Sequence, residues 1–122
     1  MITKKLALAL GTTLVLGAAT AHADVLVTPP LVAEGDNVLD CYLANVGKVA
    51  RKVRIEAVTK EGKTVQAGTP TLRPGQEEVV RTPAGLLARY CRFTVPGAGR
   101  DYRGSVLVHD LGVGSISALA AF

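Results

Sequence analysis

The sequence predicts an all-β fold: an antiparallel sandwich of about seven or eight short strands, held by one disulfide. Three observations predict it. No helix-period apolar pattern appears after residue 23. Short β-branched runs recur at intervals of ~10–15 residues between glycine and proline punctuation. The two cysteines each fall mid-run on an apolar face, 50 positions apart. At 122 residues with 4% aromatics, the chain reads as one small domain rather than a multidomain enzyme.

The first 23 residues read as an export signal. Lys4 and Lys5 form a positive start, Leu6 to Ala19 an apolar stretch, and Ala21-His22-Ala23 a small-x-small cleavage site. The apolar stretch is broken by Gly11, Thr12 and Thr13 and falls short of the roughly 20 residues that a spanning helix needs. The expected division is therefore 1–23 signal peptide and 24–122 sandwich domain, in the periplasm or secreted, with no membrane span after cleavage. Of 14 basic residues the signal removes two, leaving 12 against 10 acidic groups and a net charge of +2. That small excess gives no support to nucleic-acid binding.

Asp24–Thr28 is the first expected strand, stopped by Pro29-Pro30. Ala33–Asp36 is a turn, and Asn37–Val46 the second strand, with Leu39, Cys41 and Leu43 facing inward. Asn45–Lys48 reverses the chain into a third, Ala50–Thr59. There Val53, Ile55 and Ala57 alternate inward against Lys52, Arg54 and Glu56 outward. Lys60–Lys63 is a hairpin loop using Gly62, and Thr64–Thr69 the fourth strand. Arg73-Pro74-Gly75-Gln76 fits a type II turn, with proline and glycine at its centre, and leads into Glu77–Thr82. Thr82–Gly85 is a break. Ala88–Val95 carries Cys91, Phe93 and Val95 on one face and Tyr90, Arg92 and Thr94 on the other. Pro96–Gly99 ends it, and Tyr102–Asp110 and Ser115–Phe122 are the last two strands, divided by Leu111–Gly114. Phe122 is expected to plug the core or an edge.

Cys41 and Cys91 are expected to form a disulfide, because both sit on buried faces of a chain sent to an oxidising compartment. A redox or metal role is not favoured: neither C-x-x-C spacing nor neighbouring histidines are present.

Two cysteines on the second and a late strand resemble the inter-sheet staple of immunoglobulin-like and fibronectin type III-like sandwiches. The resemblance is partial, since the chain has no tryptophan and Arg89 stands where a tyrosine would precede the second cysteine. Leu43–Gly47 (LANVG), Val53–Ala57 (VRIEA) and Leu72–Arg81 (LRPGQEEVVR) are also similar to the N-terminal domain of periplasmic pilus chaperones. The chaperone resemblance implies edge-strand donation to a subunit. That activity also needs a second domain, so only the fold is carried over.

Catalytic residues are not expected. His109 is the one histidine left after cleavage, and Ser105, Ser115 and Ser117 are the only serines. Asp110, the nearest acid, points to the opposite strand face from His109. Metal binding is not expected either. Glu34, Asp36, Asn37 and Asp40 offer oxygen ligands, but their spacing matches no calcium loop and reads as a backbone-bonding turn. Gly97–Arg100 lacks the following helix that would cradle a phosphate. No cofactor is expected.

The feature that points to a partner is a basic face. If the third, sixth and seventh strands are neighbours, Lys52, Arg54, Arg92 and Arg103 gather with Tyr90 on one solvent-facing surface. Such a face suits an anionic surface glycan or another exported protein. Arg54→Glu with Arg92→Glu is then expected to abolish retention on a heparin-like resin. The function read from the sequence is an exported, non-catalytic binding or structural module. The alternatives are a pilus-assembly or adhesion component pairing through an edge such as Ser115–Phe122, and a small metal-binding protein or hydrolase built around His109.

Overall fold

A computed structural model describes residues 22–31, 37–82, 88–110 and 114–121. Ten strands are present among them: β1 (Ala23–Val27), β2 (Asn37–Asn45), β3 (Arg51–Lys52), β4 (Arg54–Thr59), β5 (Thr64–Gly68), β6 (Thr71–Leu72), β7 (Glu77–Arg81), β8 (Ala88–Pro96), β9 (Tyr102–Asp110) and β10 (Gly114–Ala120). Eight of them form two antiparallel four-stranded sheets, a front sheet β1-β8-β4-β5 and a back sheet β10-β9-β2-β7. β3 and β6 pair separately as a two-residue ladder.

The period-2 pattern makes the layers. Leu39, Cys41 and Leu43 from β2 and Val106 and Val108 from β9 meet Ile55, Ala57, Cys91, Phe93 and Val95 from the front sheet, each 2% exposed or less. Cys41 and Cys91 join the two sheets by a disulfide with their Cα atoms 5.6 Å apart. That distance lies in the ordinary range for such a bridge.

The expected turns hold where they are described. Gly75 takes φ +80°, and the Gln76 amide donates to the Arg73 carbonyl at 2.9 Å, closing the turn before β7. Gly62 takes φ +86° in the β4–β5 hairpin. The turns at Ala33–Asp36, at Pro83–Gly85 and at Leu111–Val113, and the plug at Phe122, lie outside the described residues.

Three departures matter. First, β9 pairs with β2 along its whole length and not with β8 or β4. The staple joins the second and a late strand, as in an immunoglobulin-type sandwich, and the expected third and sixth strands do lie side by side as β4 and β8, but the seventh, β9, is in the other sheet, so that sheet order is not present. Second, the expected third strand is split. Arg51–Lys52 pairs with Thr71–Leu72, an element that two residues of sequence could not announce, and only Arg54–Thr59 joins the front sheet. Third, Asn45, expected in a turn, is buried and fully bonded. Its Nδ2 donates to the carbonyls of Val49 and Leu72, both at 2.9 Å, and its Oδ1 accepts from the Gly47 amide at 2.9 Å. One amide side chain therefore ties the loop after β2 to β6.

Candidate functional site

The outer face of the front sheet carries the site. β8 runs through its middle and presents Tyr90, Arg92 and Thr94 on the side away from the core. In register beside them are Val58, Glu56 and Arg54 on β4, and on β1 Val27 faces Arg92 and Val25 faces Thr94. Lys52 continues the β4 side. Arg103, grouped with these residues by the sequence, lies on β9 in the back sheet. The structure therefore brings Lys52, Arg54, Tyr90 and Arg92 to one face and puts Arg103 on the other layer.

Glu56, expected outward and solvated, is instead 6% exposed. It accepts from Arg92 Nε at 3.2 Å and Nη2 at 3.0 Å, and from the Thr64 hydroxyl of β5 at 2.6 Å; Arg54 Nε stands 3.5 Å away. These hydrogen bonds, led by Arg92 and opposed by burial, hold its carboxyl down from the ordinary 4.5 to about 2. Two of the three basic residues that the sequence placed on this face, Arg54 and Arg92, are thus engaged by a carboxylate of their own sheet. A folded-state value depressed in this way contributes stability that is complete above pH 4.5 and disappears as pH falls through about 2. Because the Arg92 guanidinium is one-third exposed, solvent screening limits the contribution to on the order of 2 kcal/mol. Glu56→Gln should therefore unfold at lower urea than the parent at pH 7, and the gap should close between pH 4.5 and 2. A gap independent of pH would contradict the assignment.

A cleft of about 660 Å³ opens at the Tyr90 end of this face. Its floor is Arg89, Tyr90 and Arg92 of β8. One wall is Val27, Thr28, Pro30 and Leu31, the chain leaving β1, and Lys60 of the β4–β5 hairpin stands opposite. The wall is fixed by two backbone bonds, Thr28 amide to Cys91 carbonyl at 3.0 Å and Leu31 amide to Arg89 carbonyl at 2.6 Å, and by the buried Thr28 hydroxyl, which accepts from the Cys91 amide at 2.9 Å. Pro29 and Pro30 have no N–H to pair, so this segment leaves the sheet and becomes a wall.

Arg89 was not among the sequence candidates. Strict alternation places it on the opposite face from Tyr90, yet both line the cleft. The β4–β8 register explains this: Val58 faces Tyr90 and Thr59 faces Ala88, so Arg89 is an extra residue in β8. Such a bulge re-aims a side chain, and bulges of this kind concentrate beside binding sites. Among the described residues, neither Arg89 nor Lys60 has an acidic partner within ion-pair distance. At the other end of β8, Lys52, Arg54 and Thr94 line a second depression of about 310 Å³.

The back sheet's outer face is different. Asp40, considered from sequence as a cation ligand, is fully buried and held by Arg81, whose Nε and Nη2 donate to its two oxygens at 2.7 and 2.8 Å. His109 Nε2 lies 3.0 Å from Asp40 Oδ2 but out of line for a hydrogen bond. The carboxylate is thus satisfied within the protein. Asn37 opens β2, and Glu34 and Asp36 lie outside the described residues. Among the described residues no group of three or more His, Cys, Asp or Glu side chains is placed to hold a metal. No helix among them is long and apolar enough to cross a membrane.

No protein-family model matches the sequence, and no curated protein matches it. Solved structures do. Thermotoga maritima 1070 superposes with a TM-score of 0.55 at 13% identity, over 80% of this chain and 91% of its own. The K3 cleaved adhesin domain of Lys-gingipain from Porphyromonas gingivalis gives a TM-score of 0.39 at 11% identity, over 84% and 64%. A CBM4 structure gives 0.37 at 11% identity, over 85% and 86%. The likeness to Thermotoga maritima 1070 shows a shared β-rich fold.

Proposed function

We propose that the protein is an exported, non-catalytic binding module whose ligand surface is the outer face of the front sheet, centred on the Tyr90 cleft. The observation that carries this reading is the cleft itself. Its volume falls within the roughly 300–1,000 Å³ usual for ligand sites, and apolar walls surround a few convergent polar groups. A bulge turns Arg89 into it, and two backbone bonds hold its wall in place. The buried disulfide supports export, because such a bond persists in oxidising compartments.

A photo-reactive residue at position 90, in cells producing the tagged protein, should give adducts that the same residue at Val79 does not. Val79 is exposed on the back sheet's edge strand and serves as the internal control. Equal labelling from both positions, or adducts from position 79 alone, would contradict the assignment of this face.

A further inference from the structure

We infer that the cleft takes acidic sugars: a short uronate oligomer lying along β8, one ring against Tyr90 with its carboxylate between Lys60 and Arg89. This rests on the reading of the front-sheet face as the ligand surface. The charge of the ligand follows from bookkeeping within the cleft. Arg92 is engaged by Glu56 and Thr64, whereas among the described residues Lys60 and Arg89 have no acidic partner and no carboxylate lines the cleft. Two unspent cations in a partly desolvated recess select an anion.

The rest of the ligand follows from shape. Val27, Pro30, Leu31 and the Tyr90 ring present carbon, so inorganic phosphate alone would leave these walls unused. An acyl chain would use them, but the cleft is open along its length and would leave much of that chain in water. A sugar ring has an apolar C–H face for the tyrosine and a hydroxyl rim that tolerates solvent. The second cationic depression makes the ligand an oligomer. Lys52 and Arg54 flank Thr94, four residues along β8 from Tyr90. At ~3.3 Å per residue the two ends are about 13 Å apart, with the exposed Val27 of β1, beside Arg92, between them and the exposed Val25 beside Thr94. A chain of regularly spaced carboxylates reaches both.

The test is calorimetric titration of the purified, disulfide-bonded protein with oligogalacturonate at low salt. Binding is expected to weaken as salt rises. Lys60→Ala, Arg89→Ala and Tyr90→Ala should each weaken it about tenfold, Tyr90→Phe should retain it, and Arg103→Ala on the other sheet should leave it unchanged. Far-ultraviolet circular dichroism confirms that each variant is folded. No binding of oligogalacturonate, equal binding of a neutral dextran oligomer, or binding indifferent to Lys60 and Arg89 would overturn the inference. So would tighter, cleft-dependent binding to phosphatidylglycerol vesicles. If oligogalacturonate fails while adducts still form from position 90, the sugar assignment falls and the binding-face reading stands.

Discussion

Replacing Cys41 and Cys91 together with alanine is expected to lower the free energy of unfolding by about 4 kcal/mol, read from urea denaturation without reductant. The bridge closes a loop of 50 residues, and the loss of unfolded-chain entropy for a loop of that length is ~4 kcal/mol. Small domains have total stabilities of ~5–15 kcal/mol, so the variant should be near the edge of folding at 37 °C. This bridge is the side-chain cross-link between β2 of the back sheet and β8 of the front sheet. Reducing agent should destabilise the parent by a similar amount and leave the double variant unaffected. A difference below about 1 kcal/mol would mean that the sheets hold together without the staple.

Phe93→Ala should cost about 3–5 kcal/mol, the range for removing a large buried ring. Phe93 is fully buried in β8, directly beneath the face that carries Arg92 and Thr94. Its space is set by a glycine across the sandwich: a Cβ on Gly104 of β9 would come within 2.6 Å of the Phe93 ring. Gly104→Ala should therefore cost about 1–3 kcal/mol by overpacking. Combining Phe93→Leu with Gly104→Ala should cost less than the two singles together, because the smaller side chain gives the new methyl room. Additive costs would show that the two positions do not share space.

Much of this fold can be read from residue order. Alternation assigns Leu39, Cys41, Leu43, Val53, Ile55, Ala57, Cys91, Phe93 and Val95 to the interior, and all nine are buried. Turn chemistry placed Gly62 and Gly75, and the cysteine positions gave the staple. What alternation does not contain is which strand lies beside which. Arg103 went to the wrong layer for that reason, since β9 has the same pattern whether it pairs with β8 or β2. Cross-strand register was equally hidden. Glu56 between Arg54 and an outward position reads as a solvated face until Arg92 is known to stand opposite it. Arg89 was lost because a bulge breaks the two-residue period, and nothing in the residues around it marks the insertion. Consequently the charges to change are not Arg54 and Arg92, whose replacement by glutamate would set like charges beside Glu56, but Lys60 and Arg89.

Tyr42 and Tyr90 stand on the outer faces of the back and front sheets, respectively, and are both half-buried. Hydroxyl-radical footprinting of the tagged protein in its cellular fraction, against the purified protein, reads both rings in one experiment. Oxidation of Tyr90 should fall in the cellular sample while that of Tyr42 stays the same. Protection of Tyr42 with Tyr90 unchanged, or no difference at either ring, would contradict a ligand surface on the front sheet.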